Sequence, residues 1–227
     1  MEILLYYADV GELEDPLLFQ SLYRSVSHTR QEKIDRVRIQ AGKLLSLGAG
    51  ALLEAALAEC GLSDPHFAQD EHGKPYLKDR KDLCFNLSHS GSKVFCAVSS
   101  REIGCDVERI RRTRLKLARR FFCEEEYRAL LDCVEGDAQD RLFCWYWTLK
   151  ESFLKATGLG LRLPMNSFCF LHSDDRITIC QSLDERPYAF CTFSTEAYQF
   201  AVCSVERPLD QVRLTERRFR ELAPKLL

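Results

Sequence analysis

The chain has 227 residues, enough for one large domain or two small ones, and either can bury a core without disulfide staples. Charged residues are 29% and hydrophobic residues 46% of the total, and the net charge of -2 excludes a chain built as a whole to hold nucleic acid, so any polyanion must meet a local basic patch. The first apolar stretch is acidic early and too short for a secretory signal, no apolar run approaches a membrane span, and the eleven scattered cysteines include no Cys-x-x-Cys; a cytoplasmic, reducing setting with no disulfide framework and no zinc site is expected.

Met1 to Ala8 is rich in Ile, Leu and Tyr and predicts a buried strand, and Asp15-Pro16 marks a turn or a helix start. Ser27-His28-Thr29-Arg30 opens a long helical stretch, with Ser27 or Thr29 as its cap. Ile34, Val37, Ala41, Leu44, Leu45, Gly48 and Leu52 fall on one face at a period near 3.6, and Lys33, Arg36, Gln40 and Lys43 fall on another. That basic strip can hold phosphates or simply be a solvated face, and Gly42, Gly48 and Gly50 argue against one continuous helix. Glu71-His72-Gly73-Lys74-Pro75-Tyr76 is a turn that presents a lysine.

Asp82 to Val98 predicts two strands around a polar segment, Asn86-Leu87-Ser88-His89-Ser90-Gly91. Hydroxyls and backbone amides in such a loop can converge on an oxyanion, or the loop can be an ordinary polar hairpin. Ile103-Gly104-Cys105-Asp106-Val107-Glu108 then reads as a strand, and residues two apart point to one face. Asp106 and Glu108 therefore share a space about 6.5 Å apart along the backbone. At an effective dielectric near 20 they repel by about 2.5 kcal/mol. Burying both requires protonation, basic partners or a hard cation; an isolated Asp-x-Glu is more often the solvent face of a strand.

Arg109 to Arg120 carries six arginines and a lysine among Leu115, Leu117 and Ala118, a surface suited to an acidic partner or to solvent. Phe121-Phe122 follows, and Glu124, Glu125 and Glu126 suit a helix start for which Cys123 is a poor cap. Gln139 to Thr157 is the strongest helix, with Leu142, Trp145, Leu149, Phe153 and Ala156 in one stripe. Glu151 and Lys155 lie opposite, one turn apart, next to Trp147 and Leu154, so the helix is apolar on both sides and predicted to be sandwiched. Gly158-Leu159-Gly160 ends it. Ser167 to Val205 reads as strands and turns, and Thr215 to Leu222 as a short closing helix. Val94-Phe95-Cys96-Ala97-Val98 faintly resembles Gln199-Phe200-Ala201-Val202-Cys203, which hints at duplication about a midpoint near residue 105.

Taken together and in order, Gly73-Lys74-Pro75, Phe85 to Gly91, Ile103 to Glu108, Arg120-Phe121-Phe122, Trp147 to Lys155 and Gly158-Leu159-Gly160-Leu161 resemble the surfactin-type 4′-phosphopantetheinyl transferases over nearly the whole chain. The resemblance implies an α+β fold of two pseudo-duplicated halves, residues 1–105 and 106–227, with the active site between them. The first half would hold the basic helix, the Gly73-Lys74-Pro75 turn and the Ser88-His89 loop; the second would hold the metal site, the catalytic helix and the carrier dock. It implies transfer of the phosphopantetheinyl arm of coenzyme A to a serine of an apo acyl or peptidyl carrier protein, with release of 3′,5′-ADP. Asp106, Glu108 and Glu151 would share Mg²⁺, or Mn²⁺ in its place. Arg30, Lys33, Ser46, Gly73, Lys74, Pro75, Ser88 and His89 would bind coenzyme A. Glu151 would be the general base and Lys155 would stabilise charge on the phosphate. The resemblance further implies a cytoplasmic monomer with no nucleic-acid or membrane partner. Cys105 stands where the family has an aliphatic residue, and Cys123 where it has a small polar cap. Another Mg²⁺-dependent phosphoryl or nucleotidyl transferase, or a scaffold that binds coenzyme A without turnover, are the competing readings; the first predicts preference for a nucleoside triphosphate.

Overall fold

The computed structural model describes residues 3–173, 176–206, 208–209 and 211–223. In chain order the elements are β1 (Leu4–Asp9), α1 (Pro16–Ser25), α2 (His28–Arg36), α3 (Gln40–Glu59), β2 (Phe67–Gln69), β3 (Pro75–Leu77), β4 (Cys84–Ser90), β5 (Lys93–Ser99) and β6 (Ile103–Arg109). Then come α4 (Leu115–Phe121), α5 (Glu124–Asp132), α6 (Asp137–Thr157), β7 (Cys169–Ser173), β8 (Arg176–Cys180), β9 (Tyr188–Ser194), β10 (Tyr198–Val205), β11 (Leu214–Glu216) and α7 (Phe219–Leu222). The mixture of helices and sheets is the expected α+β class. Two compact units divide the chain: Met1–Ala68, Pro75–Ser100 and Val212–Leu227 form one, Gln69–Lys74 and Arg101–Gln211 the other. The break after Ser100 lies a few residues before the midpoint read from the repeat, which falls inside β6.

In the first unit a four-stranded sheet runs β11-β1-β5-β4, with β11 parallel to β1 and the other pairs antiparallel. α3 covers it, packing on β5 and β1. Leu47, Leu52, Leu53, Ala56 and Leu57 meet Ala8, Val94, Val98 and Phe219 in one core. Asp15 starts α1 by accepting a hydrogen bond from Leu17 N at 3.0 Å, with Pro16 in the first turn.

The helical stretch expected from Ser27 to Leu52 is two helices, and the break is not at a glycine. It falls at Val37–Ile39, where Val37 turns extended (ψ 123°) and its N–H closes onto Ile34 O. Two β-branched residues flanking Arg38 favour that extended path. Ser27 hydroxyl donates to Glu54 instead of capping α2. Gly50 lies within α3 and leaves room for the Arg30 side chain, since a β-carbon there would stand 2.5 Å from Nε. By length and mean hydropathy (1.3), α3 is apolar enough to cross a membrane, which corrects the expectation that no run approaches that length. The apolarity is used in the core, where Leu44 to Leu57 are largely buried.

In the second unit β6-β10-β9 form an antiparallel sheet, and β7-β8 a separate hairpin. α6 lies on β6 and β10. One side of α6 joins Leu149, Phe153 and Ala156 to Phe168, Phe170, Ala201 and Cys203; the other packs Leu142, Phe143 and Trp147 against Phe122 and Leu130. The helix is sandwiched as predicted, with Leu142 on the second side. The two faintly similar segments form β5 and β10, each the strand its own sheet is built around. Contrary to the expectation of free thiols alone, Cys123 and Cys169 are joined by a disulfide, Cα atoms 5.8 Å apart. The pairing spans 46 residues and has no local spacing signal.

Candidate active site

The densest chemistry lies where α6 crosses β6. Gly104, Asp106 and Glu108 alternate onto the strand face that meets the helix, while Ile103, Cys105 and Val107 are buried on the other face. Gly104 makes the approach possible: a β-carbon there would collide with Ser152 O and stand 3.0 Å from Ala156 Cα. A glycine inside a strand is a sequence signal for close backbone approach, and Gly104 carries that signal.

With the helix that close, Lys155 Nζ reaches Asp106 Oδ1 at 2.6 Å and Cys105 O at 3.3 Å. Asp106 is 3% exposed, so a charged carboxylate here needs such a partner. Lys155 thus pairs across elements with Asp106 while Glu151, one turn back on its own helix, also acts on it through charge. Burial disfavours the Lys155 ammonium, but the charges of Asp106 and Glu151 and the Asp106 hydrogen bond outweigh it, and its pKa is raised. The Glu151 carboxyl is pushed up by burial first, then by the charges of Asp106 and Glu108, with Lys155 opposing. Asp106, Glu108 and Glu151 thus form one mutually repelling group on two elements, the condition a hard cation relieves.

Lys74 belongs to the same unit. Asp70 Oδ1 accepts from His72 N and Lys74 N at 2.8 and 2.9 Å and fixes the turn. Lys74 Nζ donates to Ala156 O at 2.8 Å, at the carbonyl end of α6, where a cation is favoured. Gly158 closes that helix end in a left-handed conformation, φ 73°.

In the first unit, Arg30, Lys33 and Pro75 line one small pocket of about 110 Å³ with Ser27, Thr29, Phe67, Phe85 and Leu87. Burial lowers the Arg30 pKa, with Glu54 opposing, and lowers that of Lys33, with Arg30 adding to it. Two clustered cations with disfavoured charge suit an anion. Ser46 lies on α3 and is not among the residues around this pocket. Ser88 and His89 are not in a loop: Asn86 to Ser90 continue β4, in register with β5 from Ala97 to Lys93. Their side chains leave opposite faces, Ser88 buried and His89 exposed, so they do not converge as a pair.

The basic segment divides into an irregular stretch to Arg114 and the short α4, whose Ala118 is buried against Phe122 and Leu130. A groove of about 830 Å³ runs along it, lined by Arg112, Arg114, Leu115 and Lys116 opposite Glu135 and Asp140. Sequence reasoning also missed Lys150. Its side chain is fully buried and donates to Met165 O and Phe168 O at 2.7 Å, and it pairs with the equally buried Glu126 at 2.8 Å. Glu126 further accepts from Cys123 N at 3.1 Å and Phe170 N at 2.8 Å. This pair anchors the residue next to Glu151, and only its apolar surroundings distinguish Lys150 in sequence from a surface lysine.

The family model for the 4′-phosphopantetheinyl transferase superfamily matches residues 102–203, the span that holds this site. The 4′-phosphopantetheinyl transferase Sfp of Bacillus subtilis (strain 168) is 40% identical over 63% of this chain and 64% of its own length, just under two thirds of that relative. A second 4′-phosphopantetheinyl transferase of Bacillus subtilis is 35% identical over 79% of this chain and 82% of its own. A solved holo-[acyl-carrier-protein] synthase of Thermotoga maritima aligns with a TM-score of 0.39 at 25% identity, over 47% of this chain and 63% of its own, an overlap too partial to argue from.

Proposed function

Because the chain belongs to the 4′-phosphopantetheinyl transferase family, we propose that it moves the phosphopantetheinyl arm of coenzyme A onto a serine of an apo acyl or peptidyl carrier protein and releases 3′,5′-ADP. The observation that supports the reading is the ion pair of Lys155 with buried Asp106 at the crossing of β6 and α6, where the charges of Asp106 and Glu108 also act on Glu151.

The donor set suits Mg²⁺, or Mn²⁺: all oxygen, all carboxylate and electrostatically strained without a cation. Asp106, Glu108 and Glu151 would hold it, and when bound it would neutralise charge on the pyrophosphate of coenzyme A. The carrier serine is a weak nucleophile and needs a base. Glu151, its pKa raised, takes the hydroxyl proton directly or through a water while the serine oxygen bonds to the phosphorus nearer the pantetheine. The bond from that phosphorus to the departing 3′,5′-ADP breaks, and Lys155 stabilises the charge. Lys74, Arg30 and Lys33 are the cations assigned to the phosphates of coenzyme A, with Ser46, Gly73, Pro75, Ser88 and His89 as further contacts. The basic segment from Arg109 to Arg120 is the assigned dock for an acidic carrier helix. The protein is taken to work as a cytoplasmic monomer. Incubation with coenzyme A, Mg²⁺ and an apo carrier protein tests the reading: the carrier gains the phosphopantetheine mass, and chelation of the cation abolishes the gain. No mass gain with any apo carrier, or a preference for a nucleoside triphosphate, overturns it.

A further inference from the structure

Away from the crossing of β6 and α6, the second unit brings two sulfurs and a carboxylate to one corner. Cys123 precedes α5, Glu125 sits in its first turn, and Cys169 opens β7; one ligand atom from each lies within 4.8 Å of the others. Glu125 Oε2 is 3.3 Å from Cys169 Sγ. In the disulfide neither atom carries a proton, so this contact is between two electron-rich atoms and gains nothing for the oxidised state. Cys180 stands directly across from Cys169 in the β7-β8 register, hence on the same face of the hairpin, and it is an exposed free thiol. The partners Phe170 and Ile179 point the other way, into the core. Three cysteines and a carboxylate on three elements, the start of α5, β7 and β8, make a donor set that disulfide bonding leaves half used.

We propose that, once its disulfide is reduced, this corner binds a thiophilic divalent cation, zinc above all, through Cys123, Cys169, Glu125 and Cys180. A tetrahedral zinc site takes thiolate sulfur at about 2.3 Å and carboxylate oxygen at about 2.1 Å, which places ligand atoms roughly 3.5 Å apart. The 3.3 Å between Glu125 Oε2 and Cys169 Sγ is already close to that, and the two bonded sulfurs must part to reach it. Cα atoms 5.8 Å apart let the two sulfurs separate by side-chain rotation. Opening the bond needs two electrons, supplied by a dithiol reductant that leaves as its own disulfide; the two protons taken up at Cys123 and Cys169, and the one on the Cys180 thiol, are released as zinc binds the three thiolates. The disulfide and the metal are then alternative staples between α5 and β7, the segments that hold Glu126 through Cys123 N and Phe170 N. The proposal runs against the sequence expectation of no zinc site and does not depend on the transferase reading.

The test uses the full chain, reduced with a dithiol, desalted without oxygen and loaded with Zn²⁺ or Co²⁺. The reduced protein retains one molar equivalent of zinc more than the Cys123→Ser/Cys169→Ser double variant, and Co²⁺ gives thiolate charge-transfer absorption that the double variant lacks. Glu125→Gln and Cys180→Ser each bind zinc at least about 10-fold more weakly. The same wild-type protein, re-oxidised, loses the equivalent, a comparison that needs no variant to fold. Equal zinc retention by reduced and oxidised wild type, or a Co²⁺ spectrum without thiolate bands, overturns the proposal.

Discussion

Gly104 lies beneath the peptide carbonyl of Ser152 with no room for a side chain between them. The contact sets the distance from β6 to α6, and with it the spacing of Asp106, Glu108, Glu151 and Lys155. Gly104→Ala should force the helix outward. A misplacement of about 1 Å can cost 10²-fold, so kcat/KM for carrier modification should fall at least about that far. Steady-state kinetics with a thermal melt will check it; unchanged kinetics would mean the strand absorbs the methyl.

Glu151→Ala should be more damaging than Lys74→Ala. The first removes a base, typically worth about 10²–10⁴-fold, together with a carboxylate of the cation site. The second removes a cation that already bonds Ala156 O at a helix end. Turnover with an acyl carrier protein compares them, and equal, mild losses would refute the assignment.

Lys150→Met should leave Glu126 buried with its charge uncompensated. Breaking a buried pair on one side costs about 3–5 kcal/mol, a drop in Tm on the order of 10 °C for a protein of this size. Lys150→Met/Glu126→Leu should recover only part of the loss, because the unpaired carboxylate is gone but Met165 O, Phe168 O, Cys123 N and Phe170 N lose these partners. Calorimetry of the three proteins measures both effects.

Reversing Arg111, Arg112 and Arg114 to glutamate should raise KM for the carrier at low salt with little change in kcat. The effect should shrink above about 0.1 M salt, where the Debye length is near 10 Å. A KM that does not move would locate the dock elsewhere.

Asp9 offers a pH test in the first unit. Burial pushes its pKa up, but Gly11 N, Ser92 Oγ and Lys93 Nζ, at 2.8, 2.9 and 3.2 Å, outweigh burial and hold the carboxyl below its usual value. A depressed folded pKa means stability present above the unfolded pKa and lost as pH falls through the folded one. Asp9→Asn should therefore lower the urea midpoint at pH 7, and the gap from wild type should close toward pH 3. A gap that persists in acid would assign the effect to shape rather than charge.

Much of the fold was legible because it is periodic. The strand Ile103 to Glu108, the helix ending at Gly158 and the apolar strands β5 and β10 all follow from alternation and stripe patterns within one segment. What escaped was non-local or context-bound. The Cys123–Cys169 bond and the Lys150–Glu126 pair join residues 46 and 24 positions apart, and no pattern within either segment announces the partner. The polar run Asn86 to Ser90 was read as a loop from its composition, yet the ladder with β5 keeps it extended. The interruption at Val37–Ile39 is a backbone choice that the apolar stripe on either side concealed.

The return of residues 214–219 to the first unit has a consequence for synthesis. β11 adds to β1 in parallel, Arg217 lies 4.2 Å from the Tyr6 ring centre, and Phe219 is wholly inside the α3 core. A ribosome makes β1 and β5 long before it makes this strand, because Arg101–Gln211 of the second unit lies between them in the chain. The early portion must therefore wait, with one flank of its sheet and a Phe-sized hole in its interior open to chaperones and proteases, until synthesis has passed Phe219. Nascent chains stalled before Leu214 should be cut within the early portion far faster than those extended beyond Phe219.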